Sequence, residues 1–259
     1  MPYAREGNDP AIYYETEGNG TPIIFIPPPG MGHLTFRYQK YLKENCQVIT
    51  FDVRGDCRSE KSKASFDVHT LAHDVKTILD HNDIDKAVVC GYSNGGCIAQ
   101  EFALTFPDRT AGIILIGGYY DTSNFWLRKE YQLGIWVAKR HWIKLLAAGL
   151  AKNHFKDNQA AKEMMDEIVD TDPDMLAKQY QAGLVYNSLD KLHLLEVPLL
   201  LIYGARDLYV HAYQKKYREL VKDVEVVYVQ KSKHQVPTRF YHECNAIIQE
   251  WVTRKGIKV

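Results

Sequence analysis

Several features that would set this chain apart from an ordinary globular protein are missing. Nowhere in its 259 residues is there a run approaching the ~20 apolar residues of a membrane-spanning helix. The opening segment Met1-Pro2-Tyr3-Ala4-Arg5-Glu6 has no apolar stretch, so it reads as no secretory signal. There is no excess charge: 32 Lys and Arg balance 32 Asp and Glu. That balance gives no hold on a nucleic acid, and the absence of a long basic run argues against anionic lipid. Cysteine is scarce. Cys46, Cys57, Cys90, Cys97 and Cys244 are odd in number, scattered, and at no metal-ligand spacing. They read as free thiols in a reducing cytoplasm, with Cys90 and Cys97 as small core residues. No Gly-rich phosphate loop is present, so neither nucleotide, metal nor other cofactor is expected. Internal repeats and low-complexity tracts are also absent.

What is there alternates. Short apolar runs read as strands: Ala11–Tyr14, Ile23–Ile26, Gln47–Asp52, Ala87–Cys90, Ile113–Ile116, Pro198–Tyr203 and Val224–Val229. Between Val68 and Leu79 the apolar residues fall at helical spacing, with His69, Asp74 and Lys76 on the other side. Thr238–Trp251 reads as a closing helix, with Pro237 just before it. Wholly apolar strands separated by helices predict an α/β fold, a parallel sheet covered on both faces. The alternation breaks once, between Tyr119 and Asp190. That segment is helical in pattern and holds Trp126, Trp136 and Trp142, three of the four tryptophans. It reads as a lid over the C-terminal edge of the sheet.

The chemistry concentrates at Gly91-Tyr92-Ser93-Asn94-Gly95-Gly96, a G-x-S-x-G pattern between the Ala87–Cys90 run and a helical stretch. A serine on a strand-to-helix turn is presented as a nucleophile, and the helix start offers N–H groups to an oxyanion. A serine hydroxyl needs a base, and the base an orienting acid. Asp207 lies just past the Pro198–Tyr203 strand, and His234 just past the Val224–Val229 strand. Most of the other nine histidines fall early, on helical patterns or in the insertion, and only His234 is just past the last strand. Asp121, just past the Ile113–Ile116 strand, is a competing acid.

These segments, with Phe51-Asp52-Val53-Arg54-Gly55 and Ile202-Tyr203-Gly204-Ala205-Arg206-Asp207, resemble the α/β-hydrolase fold superfamily along nearly the whole chain. The resemblance implies an eight-stranded, mostly parallel sheet with a helical cap inserted after the sixth strand. The core is then residues 1–118 and 191–259, and the cap 119–190. It also implies Ser93 as nucleophile, His234 as general base and acid, and Asp207 as orienting carboxylate. Two departures stand out. Where the family has His-Gly after its third strand, this chain has Pro27-Pro28, and the next residue, Pro29, has no N–H. The oxyanion donors expected instead are the N–H groups of Gly30 or Met31, together with that of Asn94. Where the family has Arg-Gly-His-Gly-x-Ser, this chain has Arg54-Gly55-Asp56-Cys57-Arg58-Ser59.

The leading expectation is a serine carboxylesterase acting on small to medium esters, cytoplasmic, with a homodimer as one admissible assembly. A C–C bond hydrolase or an aminopeptidase on the same triad is the alternative. For the latter, Glu130, Asp166 and Glu167 are candidate amine-binding carboxylates. A hydrolase-like small-molecule receptor is the non-enzyme alternative.

Overall fold

A computed structural model describes residues 3–257. The strands are β1 (Tyr3–Ala4), β2 (Ile12–Glu17), β3 (Thr21–Ile26), β4 (Cys46–Phe51), β5 (Ala87–Tyr92), β6 (Thr110–Ile116), β7 (Leu199–Gly204) and β8 (Val224–Val229). They form one eight-stranded sheet in the order β1-β2-β4-β3-β5-β6-β7-β8. Strand β2 runs antiparallel to both neighbours, and every pairing from β4 to β8 is parallel. Helices α1 (Val68–His81), α2 (Gly95–Thr105), α7 (Gln214–Leu220), α8 (Val236–Arg239) and α9 (Tyr241–Arg254) belong to this core.

The apolar strands bury both faces because alternate residues point to opposite sides. Ile24, Val89, Leu115 and Leu201 pack with Leu71, Val75 and Phe102 of α1 and α2. Their neighbours Phe25, Val88, Ile114 and Leu200 pack with Ile248 and Trp251 of α9. Each such side chain, fully buried, contributes roughly 1.5–3 kcal/mol. Cys90 and Cys97 are buried among these apolar residues as free thiols.

One strand has no counterpart in the sequence reading, and two local readings change. Strand β1 has only two residues, too few to show an alternation. The C-terminal helix is two helices interrupted at Phe240, and Pro237 lies in the first turn of α8 rather than ahead of it. Asp74 of α1 does not face solvent. It is 5% exposed, and its carboxylate accepts from Arg54 Nε at 2.7 Å and Nη2 at 2.5 Å. A helix face beside a buried arginine takes an acid where the apolar period expects none.

Between β6 and β7 the chain inserts four helices, α3 (Phe125–Lys139), α4 (Ile143–His154), α5 (Asn158–Ile168) and α6 (Pro173–Val185). They share a small core that includes Ala138, Ile143, Ala147, Met164 and Leu176. Helix α6 seats them on the sheet's C-terminal edge. Asp172, at its N-terminus, donates its N–H to Gly55 O at 2.9 Å, and Gln179 Nε2 donates to Arg54 O at 3.0 Å.

Candidate active site

Ser93 follows β5 with φ of 52°, and α2 begins two residues later. Its N–H donates to Ile116 O of β6 at 2.8 Å, which fixes the turn. The turn is tight enough that a Cβ at Gly95 would lie 2.1 Å from the carbonyl oxygen of Ile26. Only glycine admits that approach.

Asp207 sits in the turn after β7, its N–H donating to Gly204 O at 3.0 Å and its side chain buried. His234 sits past β8, and its Nδ1 meets Asp207 Oδ2 at 2.6 Å. Burial alone would lower the His234 pKa. The Asp207 hydrogen bond and charge, with a smaller pull from Glu130, outweigh it and raise the pKa above the ordinary histidine value. His234 Nε2 is buried and has no partner among the described residues. It lines one cavity of about 60 Å³ together with Ser93. Asp121 is not part of this group; it accepts from Ser123 N and Oγ at 3.0 and 2.7 Å ahead of α3.

The loop after β3 corrects one expectation. The Gly30 N–H donates to Asp56 Oδ2 at 2.8 Å, so it is not open to an oxyanion. The Met31 N–H donates to Pro28 O at 3.2 Å, a longer turn bond. The Asn94 N–H has no hydrogen-bond acceptor among the described residues. Asn94 Nδ2 donates to Tyr131 OH at 2.6 Å. Asp56, whose place in the loop sequence alone left open, is the fastener. It is fully buried, takes Gly30 on one oxygen and Gln179 Nε2 of α6 on the other at 2.8 Å. Burial pushes its pKa up to about 8 despite those two donors.

Other groups face the cavity. Glu130 lines it while keeping solvent contact, and desolvation raises its carboxyl pKa. Asp166 is exposed on α5, and Glu167 pairs with Arg58 Nε at 2.9 Å, so neither joins it. Tyr92 OH is buried without a partner, and burial holds it protonated. His154, which the sequence reading left in the insertion, is buried at the cavity wall with Nδ1 3.2 Å from Thr238 Oγ1. Burial first, then the charges of His234 and Arg239, depress its pKa to about 3, so it is neutral. The signal for it was present: His154 ends the buried row Ile143, Ala147, Ala151 of α4. The three tryptophans of the insertion face solvent instead. Helix α3 buries Leu127, Tyr131, Gly134 and Ala138, which turns Trp126 and Trp136 outward and leaves tyrosines to wall the cavity. Among the described residues no cluster of His, Cys, Asp and Glu is arranged to hold a metal ion. No helix there is long and apolar enough to cross a membrane.

Residues 22–140 match the family described as the alpha/beta hydrolase fold. A relative from Azorhizobium caulinodans named "Putative carbamate hydrolase RutD" is 34% identical over 134 residues, 51% of this chain and 50% of that protein. The chain thus spans about half the length of the curated relative it matches. Among solved structures, an esterase from Exiguobacterium antarcticum superposes with a TM-score of 0.86 at 18% identity, covering 97% of this chain and 98% of the other. An enol-lactonase from Burkholderia xenovorans LB400 superposes with a TM-score of 0.85 at 20% identity, covering 97% and 100%.

Proposed function

We propose that this chain, an alpha/beta-hydrolase-fold protein, is a serine hydrolase that cleaves small to medium carboxylic esters through an acyl-enzyme. The observation that carries this reading is His234: its Nδ1 is held by Asp207 at 2.6 Å while its Nε2 is left unpartnered on the cavity it shares with Ser93. A base in this posture accepts the Ser93 proton as Oγ attacks the ester carbonyl. Asp207 stabilises the imidazolium that forms. His234 then gives the proton to the leaving alcohol and takes one from the water that cleaves the acyl-enzyme. The Ser93–His234 bond, open here, closes in the substrate complex, as catalytic bonds commonly do.

The Asn94 N–H is the first oxyanion donor of this reading. The second is the Met31 N–H. Its 3.2 Å turn bond is longer than the 2.8 Å bond Gly30 makes to Asp56, so an oxyanion displaces it more easily. Tyr92 OH is a further spare donor on the cavity wall. In this reading residues 119–190 are a cap on a core of 1–118 and 191–259.

Glu130 favours a second reading. A carboxylate on the cavity wall suits a substrate with an ammonium group, as an aminopeptidase requires.

A p-nitrophenyl ester series from acetate to palmitate tests the first. Multiple turnover should be seen on the shorter esters, falling about ten-thousand-fold or more in Ser93→Ala. Aminoacyl p-nitroanilides cleaved in preference to esters would establish the second. A burst that stops after one equivalent would remove the esterase reading and favour a receptor that retains the triad.

A further inference from the structure

The inserted helices turn a continuous apolar and basic face away from the cavity. Six large apolar side chains between residues 125 and 145 are 45–70% exposed: Phe125, Trp126, Leu133, Trp136, Trp142 and Leu145. On α3 the buried positions are Leu127, Tyr131, Gly134 and Ala138. At ~100° per residue, Phe125, Lys129, Leu133, Trp136 and Arg140 project from the opposite side. Trp142 meets Trp136 edge-on with ring centroids 5.0 Å apart. That contact carries the face onto the first turn of α4, where Lys144 and Leu145 are exposed.

The charge on this face is one-sided. Between residues 125 and 145, Arg128, Lys129, Lys139, Arg140 and Lys144 stand against Glu130 alone, in a chain whose net charge is zero; of the five, only Lys139 shares a cleft with acids from another helix, Asp172 and Asp174 at the start of α6. None of the five cations forms a salt bridge among the described residues. Two of them lie on the exposed rings instead: Lys129 Nζ is 5.6 Å from the Phe125 centroid and Arg140 Cζ 5.7 Å from that of Trp136. Amphipathic aromatic rings ringed by unpaired cations match the boundary of an anionic bilayer, where rings sit at headgroup depth and cations meet lipid phosphates. A second copy of the chain fits poorly, because it would bring ten cations together with few acids to neutralise them. The sequence shows no basic run because the helix, not the chain order, gathers these residues.

We propose that this face docks the protein onto an anionic lipid surface. The proposal is independent of what Ser93 does. The test mixes the full chain with vesicles of phosphatidylcholine alone, or with roughly one third phosphatidylglycerol, and reads co-sedimentation and tryptophan emission. Trp251 is buried in the core, so a blue shift reports on this face. Binding to the anionic vesicles should be at least about ten-fold stronger than to neutral ones and should weaken with added salt. Replacing Trp126, Trp136 and Trp142 by Gln, or reversing Arg128, Lys129 and Arg140 to Glu, should each lower it about ten-fold. Both sets point to solvent, so melting temperature and circular dichroism should stay as in the parent. No binding, or equal binding to neutral vesicles, overturns the proposal. So does a concentration-dependent dimer in light scattering that the tryptophan replacements abolish, or an acidic protein that displaces the vesicles.

Discussion

At the scale of single residues the site turns on how His234 holds its proton. In the proposed reaction the base must be neutral to accept from Ser93, and the Asp207 contact raises its pKa above the ordinary ~6.5. The rate should therefore fall as pH drops through that raised value, placing the acid limb of kcat/KM above pH ~6.5. Asp207→Asn removes the main cause of the shift. It should move the limb to lower pH and cut kcat about 10³–10⁴-fold, measured as a full pH–rate profile of both proteins. A limb that stays in place would assign it to another group. Ser93, Asp207 and His234 were legible in the sequence because each lies just past an apolar strand, and strand ends share one edge. The Asp56–Gly30 bond was not: it spans 26 positions between two loops with no period to read. The His154–Thr238 contact spans 84 and joins the insertion to α8.

Elements are placed by close approaches that a sequence scan cannot see. Gly117, at the end of β6, has φ of 61°, and a Cβ there would lie 2.7 Å from His234 Cε1. The end of one strand thus forms the seat of a ring carried by another. Gly117→Ala should cost about 1–2 kcal/mol in urea unfolding, because an L side chain resists that backbone region. It should also lower kcat about 10²-fold by displacing the imidazole. A variant that loses stability but keeps its turnover would show that His234 tolerates the shift. The alternation of strands and helices was readable for seven strands because largely apolar runs of four to six residues have few other homes. What failed was orientation within elements. Asp74 was assigned to the solvent side from pattern alone, yet Arg54 drew the acid inward. The sequence left the tryptophans of the insertion without a face, and the buried row of α3 turns Trp126 and Trp136 outward. Only the tertiary partner decides such faces.

Over the whole molecule, the two buried groups His154 and Asp56 are shifted far from their ordinary values and pull stability in opposite directions. Folded His154, with a pKa of about 3, refuses the proton that the unfolded chain accepts below ~6.5. Its contribution is therefore lost as pH falls through that window. Folded Asp56, with a pKa of about 8, keeps a proton that the unfolded chain releases near 3.8, so its contribution is lost as pH rises. Below pH ~6.5 the two slopes oppose each other. Above it Asp56 acts alone or with His234, whose raised pKa gives the same sign. Urea unfolding should show stability falling by about 2 kcal/mol between pH ~6.5 and ~8, and Asp56→Asn should flatten that decline. A rise over the same interval would mean that Asp56 is ionised in the folded protein.

The cavity shared by Ser93 and His234 is about 60 Å³, whereas a site that holds a drug-sized ligand has roughly 300–1,000 Å³. There is room for a few water molecules and no more. Under the proposed function the substrate cannot be received by a finished mould. Its arrival has to push aside Leu127, Leu150 and Tyr180, which wall the space from the inserted helices. Selectivity then has an elastic component. Competing substrates are ranked by how cheaply the wall deforms around each of them, so a softer wall would widen the diet of the protein without altering a single reacting atom.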